Sequence, residues 1–317
     1  MTAITFTLRP RTAFATPLLG DTLFGQICWA IRHGWGEARL IGLLDGYTSG
    51  KPFLIVSDAF PSGTLPLPAL PSVYWASTTN DPKERKALKK ITWIPIDALD
   101  KPMQDWQRFA KDRPPADAHL TQRQQPRNSL NRLTNATGKG DGFSPYTVRQ
   151  HWFAHNAVLD LHVWLDETRL ARAELADVLT AIGTTGFGKD AGVGLGKFDI
   201  DTPMESALIT HTAPDAWLTL APCAPQELGW NATRSFYRPF TRYGRHGDEA
   251  ARREAPFKAP LLLAAAGALL APLQENDWSR GWIGQGLGGN GQLSHALPQT
   301  VHQGYAPAIP VRLPEAV

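Results

Sequence analysis

The sequence predicts an α+β protein, with one regular α/β unit in the first two hundred residues and a less regular second half. Twice in the first part, an alternating strand pattern is followed by a helical one, and a glycine-rich loop then leads into a final strand. With 317 residues, the chain is long enough for two modest domains that each bury a core.

The first strand–helix pair occupies the N-terminus. Residues 3–11 alternate in the period of two that is typical of a strand. Asp21 is placed to cap the following helix and Gly34 to end it. Residues 53–60 are apolar and predict the next strand. The apolar stripe of the helix consists of Leu23, Phe24, Ile27, Cys28 and Ile31.

The second pair begins after a long interval. Residues 158–166 alternate as a strand, Thr168 is placed to cap a helix, and residues 195–201 predict the last strand. The helical stripe consists of Ala171, Leu175, Val178, Leu179 and Ile182. The order strand, helix, strand, strand, helix, strand is the βαββαβ plan of ferredoxin-like domains, which RNA-recognition (RRM) modules share.

The interval, residues 61–157, is rich in Pro, Asn, Gln and basic residues, with a short helix predicted near residues 83–90. We interpret it as a long insertion, and insertions of this size within a domain are usually functional. The first domain is thus predicted over residues 1–202 and a second, less regular domain over 203–317. Strand-like stretches in the second domain are residues 216–222, 259–265 and 307–313, and the late glycines of 281–292 are interpreted as a flexible turn.

Charge is distributed unevenly along the chain, although the net charge is only +3. Residues 108–153 contain eight Lys or Arg against three Asp, and residues 230–258 contain seven against three acidic residues. Cys28 and Cys223 lack metal-ligand spacing, which fits a reducing cytoplasm and predicts no metal site. No apolar run is long enough for a membrane span or a signal peptide, so no membrane partner is expected.

Residues 183–198, GTTGFGKDAGVGLGKF, are the most informative motif. Gly183, Gly188 and Lys189 match most of a P-loop, but Asp190 occupies the position of the magnesium-binding Ser or Thr. A loose dinucleotide motif starts at Gly186. Both alternatives also require a helix after the loop, whereas a strand follows here. We therefore disfavour a nucleotide cofactor of either kind.

An RNA backbone suits the loop better. Its glycines allow positive φ and close approach of a ligand, and successive exposed N–H groups can form an anion-binding concavity. Lysines add point charges suited to phosphodiesters. A tight turn without a ligand would need fewer glycines. The predicted RNA-binding residues of this loop are Gly186, Gly188, Lys189, Gly192, Gly194, Gly196 and Lys197.

Residues 186–198, GFGKDAGVGLGKF, resemble the signature loop of the RAMP superfamily, the ferredoxin-like RNA-binding subunits of CRISPR effector complexes. Residues 16–31 are similar to the first helix of the type III-A (Csm) subunit that binds the 5′ handle of the guide RNA. Residues 127–143 resemble its inserted loop, and residues 302–313 resemble its C-terminal end. The resemblance thus covers both ends and the middle of the chain.

This resemblance implies a second, degenerate ferredoxin-like domain and a subunit that is not itself a nuclease. It implies binding to the guide RNA and a thumb-like loop, at about residues 127–152, that interrupts the guide–target RNA duplex. The implied protein partners are a large polymerase-like subunit and a repeated backbone RAMP subunit. No cofactor is expected.

Further RNA contacts are predicted on three segments. On the first helix they are Thr22, Gly25 and His33, although a lone His near a helix end is more often a surface or capping residue. In the insertion, aromatic residues lie between arginines, a mixture that suits stacked bases and phosphates. In residues 234–247 the same mixture could face RNA or the large partner. The predicted residues of the latter two segments are Arg127, Arg132, Arg149, Arg234, Arg238 and Tyr243.

No catalytic constellation is recognisable, so the leading hypothesis is a non-catalytic RNA-binding subunit. The rival hypothesis is a metal-independent endoribonuclease that processes guide RNA, with His33 as general acid/base. An NTP-dependent enzyme is disfavoured by Asp190, and a pure scaffold remains open.

Overall fold

The computed structural model describes residues 1–76, 81–111, 120–138, 143–206, 208, 213–226, 229–252, 255–274 and 277–315. They form a mixed α/β structure in which the strand pairings are antiparallel. None of the helices in these ranges is long and apolar enough to cross a lipid bilayer.

The helices are α1 (Gly20–Trp35), α2 (Glu37–Leu44), α3 (Pro82–Leu88), α4 (Trp106–Phe109) and α5 (Arg172–Thr185). The strands are β1 (Thr2–Pro10), β2 (Leu54–Pro61), β3 (Thr64–Pro66), β4 (Trp93–Pro95), β5 (Leu120–Arg127), β6 (Tyr146–Phe153), β7 (Leu159–Leu165), β8 (Phe198–Ile200), β9 (Met204–Glu205), β10 (Ala216–Thr219), β11 (Pro239–Arg242), β12 (Leu261–Ala264), β13 (Leu269–Leu270), β14 (Trp282–Gly288) and β15 (Val301–Val311).

The first sheet has the order β2-β7-β1-β8, and β9 also pairs with β1. Alternation along β1 places Ile4, Phe6 and Leu8 in the core with no exposed surface, as the period of two predicts. Helices α1 and α5 contact each other and pack on this sheet. The predicted strands at residues 3–11, 53–60, 158–166 and 195–201, and the short helix near 83–90, are confirmed.

The edge of the first sheet is covered by a side chain from the second half. The carboxamide of Gln303, on β15, accepts from the N–H of Val56 at 2.9 Å and donates to its carbonyl at 2.8 Å. Gln303 is fully buried. The carboxamide takes the place of a neighbouring strand at this point of β2. It provides hydrogen-bond partners for the N–H and carbonyl of Val56, which would otherwise be unpaired at the sheet edge.

The second half forms another sheet, in the order β13-β10-β15-β14. Residues of the predicted insertion contribute to its core: Leu65, Ile94 and Trp106 pack in one cluster with Leu218 and Ile309. The part of the insertion up to α4 is therefore a packed element, although its sequence lacks a clear period.

Four local predictions are wrong. Asp21 does not cap α1, because Leu19 is the N-cap and the Asp21 carboxylate contacts a distant arginine. The helix passes Gly34 and ends before Gly36, which has φ +89°. Thr168 donates to Asp166 in a turn, and α5 starts four residues later. The glycines of 281–292 are not simply a flexible turn, since most of β14 lies there.

Candidate nucleic-acid interface

The glycine-rich loop joins α5 to β8 and lies against residues 11–16. Phe187 is fully buried and anchors the loop in the core. A Cβ on Gly196, which has φ +76°, would lie 2.2 Å from the Phe187 carbonyl oxygen. A Cβ on Gly188 would lie 2.6 Å from the Thr16 side chain. These two glycines are therefore required for the loop to pack against its own protein, independently of any ligand.

Most backbone donors of the loop are already used. Of the twelve N–H groups in residues 186–197, eight donate within the protein, including Lys189 to Thr16 Oγ1 at 2.9 Å and Lys197 to Thr12 Oγ1 at 3.0 Å. The other four, at residues 188 and 190–192, donate to no described residue. The predicted concavity of successive free N–H groups is thus reduced to a short segment around Gly192.

The two lysines of the loop remain available. Lys189 and Lys197 are exposed, and their ammonium groups make no hydrogen bond or ion pair with the described residues. Gly192 is also exposed, and a Cβ there would meet nothing within 4 Å. Gly186 and Gly194 both have positive φ. The outer face of the loop therefore combines two free cations with backbone that a large ligand can approach.

The loop is joined to the hairpin of the insertion. Strands β5 and β6 form this hairpin, and His151 on β6 exchanges backbone hydrogen bonds with Phe14 at 2.8 and 2.9 Å. The Phe14 ring packs edge-on against Phe153 at 5.6 Å and lies 6.5 Å from Phe187 of the glycine loop. The structure thus brings together two regions for which the sequence independently predicted RNA contact.

An ion pair also links the two regions. Arg127, at the end of β5, has Nη1 3.1 Å from Oδ2 of Asp190 in the glycine loop, and both side chains are about three-quarters buried. Asp190 counted against nucleotide binding in the sequence, and here it balances the charge of a predicted RNA-binding arginine. Arg127 therefore contributes less free positive charge than its position in a basic segment indicates.

The hairpin exposes basic and polar side chains on both of its faces. Val148 and Gln150 are buried, so the alternating Arg149 points to the opposite, exposed side. On the other face, beside Gln150, Trp152 is still 40% exposed and lies under the Arg123 guanidinium at 5.5 Å. Arg132 is exposed near the tip. Residues 139–142 of the predicted thumb-like tip lie outside the described residues.

The predicted residues of α1 occupy different places. Thr22 is half-buried in the first turn and donates to Asp21 Oδ1 at 3.3 Å. Gly25 borders a cleft beside α2. His33 is in the last turn, where its ring stacks on Trp29 with centroids 6.0 Å apart. His33 lies eleven positions after Thr22 on the helix, about 16 Å along its axis, so the two residues do not form one compact site.

A buried ion pair that sequence reasoning missed joins α1 to β11. Arg242 donates to both carboxylate oxygens of Asp21 at 2.6 Å, and the Asp21 side chain has no exposed surface. His302 Nε2 lies 3.2 Å from the same carboxylate. Burial alone would raise the pKa of Asp21, but His302 and Arg242 outweigh it and lower the pKa to about 2. No local signal marks this pair, since 221 positions separate its members.

The Asp21–Arg242 pair joins two segments, one from each half of the chain, that each carry predicted RNA contacts. Thr22 and Tyr243 each follow a member of the pair, and Tyr243 is 75% exposed. Arg238 is exposed, and its guanidinium makes no ion pair with the described residues. Arg234 instead pairs with Asp215 at 2.6 Å. Of the two predicted RNA-binding arginines in this segment, Arg234 is thus balanced by a carboxylate, and Arg238 has no ion pair among the described residues.

Near the same pair lies a buried carboxyl group with the opposite behaviour. Asp58 accepts from the N–H of Gly20 at 2.8 Å, but burial raises its pKa to about 8. Among the described residues, no group of three His, Cys, Asp or Glu is placed to hold a metal ion. The chemistry that the arrangement supports is recognition of a polyanion by lysines, arginines and exposed aromatic rings.

No family model matches the chain, and no curated protein sequence does. Among solved structures it is similar to a chain of a Csm1–Csm4 cassette in complex with pppApA, at 18% identity and a TM-score of 0.62, with 99% of both chains covered. The same cassette in complex with AMPPNP gives 19% identity and a TM-score of 0.60, again over 99% of both chains.

A second kind of assembly gives the same result. A chain of the Csm3–Csm4 subcomplex in the type III-A CRISPR-Cas interference complex is 12% identical, with a TM-score of 0.61 over 98% of this chain and 99% of that one. Csm4 is the subunit common to both kinds of assembly. The chain has the fold of a type III-A Csm complex subunit over its whole length, as its sequence resemblance to the RAMP superfamily predicted.

Proposed function

We propose that this chain is a non-catalytic RNA-binding subunit of a type III CRISPR effector complex, where it binds the 5′ handle of the guide RNA and contacts the large polymerase-like subunit. The observation that carries the proposal is the junction of the glycine loop with the β5–β6 hairpin. There, two exposed lysines that have no partner among the described residues lie in a loop joined to a hairpin that carries arginines and exposed aromatic rings. Such surfaces bind single-stranded RNA through phosphates and stacked bases.

The sheet order supports a finer assignment of the fold. Numbered by their place in the βαββαβ plan, β1, β2, β7 and β8 lie in the order 2-3-1-4, with α1 and α5 packed on the sheet. We assign this unit to the ferredoxin-like class and the sheet of the second half to a degenerate version of it. The assignment is compatible with a boundary near residue 202, except that β9 still pairs with β1.

The protein partners follow from the assemblies to which the fold is similar. Those assemblies contain Csm1 together with Csm4, or Csm3 together with Csm4. We therefore assign to this chain a large-subunit partner and a repeated backbone partner. Purification from the native operon, with sequencing of the bound RNA and identification of co-purifying proteins, tests this. RNAs with one common 5′ end support handle binding, and recovery of the chain without RNA contradicts it.

The role of the loop is tested by Lys189→Ala combined with Lys197→Ala. The matched control is Lys83→Ala with Lys86→Ala, because those lysines are equally exposed but lie on α3. Handle RNA affinity is measured between 50 and about 200 mM salt. Loss of two phosphate contacts reduces the slope of log K against log salt by about 1.4 for a single strand. Full affinity in the loop variant, or equal loss in the control, contradicts the proposal.

The absence of catalysis is tested directly. Wild-type protein is incubated with repeat RNA in EDTA, alongside His33→Ala. Intact RNA in both samples supports a binding subunit. Cleavage by the wild type that disappears in His33→Ala would instead establish a metal-independent endoribonuclease. The glycine loop would then bind the RNA substrate.

A further inference from the structure

A cleft separate from the glycine loop opens between the first two helices and the second half of the chain. Helices α1 and α2 form one side, and residues 246–250, 258 and 297–301 form the other. Its volume is about 150 Å³, which is enough for one six-membered ring. Most of its wall is apolar, from Phe24, Trp29, Leu40, Leu44, Leu297 and Val301.

Lys258 is a cation of this cleft that has no counter-ion among the described residues. The Lys258 side chain is largely buried, and its ammonium makes no hydrogen bond or ion pair with the described residues. The other cations of the lining are occupied: Arg32 pairs with Glu37 at 3.1 Å, and His246 contacts Ser294 at 2.7 Å. Lys258 is therefore the cation of the described lining that is available to a ligand.

The surroundings do not neutralise Lys258. Asp21 is the carboxylate that acts on Lys258, and Arg242 occupies both of its oxygens. Of the two glutamates that line the cleft, Glu37 pairs with Arg32 and Glu249 is exposed to solvent. Burial raises the pKa of Asp58 to about 8 and that of the Cys28 thiol to about 12, so both groups are mainly uncharged at neutral pH. Burial also lowers the pKa of Lys258 itself. Two cations thus share one carboxylate in a region where an unbalanced buried charge is costly.

We propose that this cleft binds a small organic anion, a carboxylate or phosphate monoester carried on one aromatic or branched aliphatic group. The anionic group pairs with Lys258, and the apolar body lies between α1, α2 and residues 297–301. Small-molecule sites commonly combine apolar walls with one or two convergent polar groups. This site is separate from the glycine loop and the hairpin, neither of which contributes to its lining, although Gly25, a predicted RNA contact on α1, borders it.

The test uses four probes on the intact purified chain: phenyl phosphate, benzoate, phenol and inorganic phosphate. Ligand-observed NMR titration is expected to give saturable binding of at least one aromatic anion, with a Kd of about 1 mM or below. Phenol and inorganic phosphate are each expected to bind about tenfold more weakly, because each lacks half of the recognised chemistry. Comparison of benzoate with phenyl phosphate shows which anion the site prefers.

Three variants locate the site. Lys258→Met is expected to weaken binding of the anion about tenfold or more and to leave phenol unchanged. Gly25→Leu fills the cleft from α1 and is expected to abolish both. Gly34→Leu is the matched control on the same helix, because neither glycine has an atom within 4 Å of an added Cβ. Wild-type anion affinity in Lys258→Met, or in Gly25→Leu, overturns the proposal, as does the absence of saturable anion binding below about 10 mM.

Discussion

Neutralising Asp21 is expected to destabilise the chain strongly and to weaken RNA binding. In Asp21→Asn, the carboxylate that accepts two 2.6 Å contacts from Arg242 is lost, while the guanidinium remains only one-fifth exposed. The same pair holds α1 against β11, so Thr22 and Tyr243 lose their common support. Local disorder at this junction should therefore accompany the loss of stability.

Two independent routes give the magnitude. Removing one partner of a buried ion pair typically costs about 3–5 kcal/mol, because the other charge is left buried. The pKa of Asp21 falls from 3.8 to about 2 on folding, a difference worth about 2.5 kcal/mol. Since the folded-state pKa is the lower one, this stabilisation is present above pH 4 and disappears as the pH falls through 2. The loss of stability on mutation exceeds the value from the pKa shift, because mutation also leaves the Arg242 charge buried without a counter-ion.

Urea unfolding of Asp21→Asn, Arg242→Met and the double variant at pH 7 measures the coupling. The double variant is expected to lose clearly less free energy of unfolding than the sum of the two single variants, because each single change leaves one buried charge without its partner. The matched control is the exposed pair of Arg9 and Asp201, which has similar geometry and should show coupling near the detection limit. Additive single costs at the buried pair, within about 0.5 kcal/mol, would refute the reasoning.

Three further predictions concern the glycine loop and the neighbouring carboxyl groups. Gly196→Ala is expected to lower the free energy of unfolding by about 2 kcal/mol or more, because the added Cβ clashes and the residue has positive φ. Gly192→Ala is the control and should leave this free energy nearly unchanged, so equal melting temperatures of the two variants would contradict the prediction. The wild type is expected to lose up to about 5 kcal/mol of stability as the pH rises from 4 to 8, because the folded-state pKa of Asp58 is raised and folding favours its protonated carboxyl. Asp58→Asn should remove this decline. Parallel pH profiles of the two proteins in urea unfolding would argue against the prediction. Asp190→Asn is expected to strengthen RNA binding at low salt, and Arg127→Ala is expected to weaken it. Filter binding measures both affinities. An unchanged affinity in Asp190→Asn would show that the Arg127–Asp190 pair is not near the RNA.

Much of the first sheet could be predicted from the sequence because its signals are local. The alternation in β1 and the stripe of α5 reflect one buried face each, and a buried face repeats with the period of its own element. Leu175 and Ile182 are buried as that stripe requires. Ala171, the first residue of the predicted stripe, is exposed because α5 begins only after it.

The missed features depend on contacts between distant parts of the chain. Asp21 has the composition and position of an N-cap, and only the approach of β11 converts it into a buried counter-ion. In the sequence, nothing distinguishes Gln303 from other polar residues. Its role at the edge of β2 is visible only in the structure, where β15 lies beside that edge. Gly286 in β14 looks like a turn residue, but a Cβ there would lie 2.5 Å from the Tyr47 carbonyl oxygen. In each case the partner is more than 200 residues away in sequence.

The glycine loop shows how far a motif can be interpreted without its partners. The sequence assigned every glycine to a ligand, whereas Gly188 and Gly196 are required by contacts of the loop with its own protein. Eight N–H groups are likewise committed, so the backbone offers an anion only the short segment around Gly192. The charge that remains free is carried by Lys189 and Lys197. If RNA binds here, its affinity should therefore depend on the two lysines and on salt far more than on any single glycine.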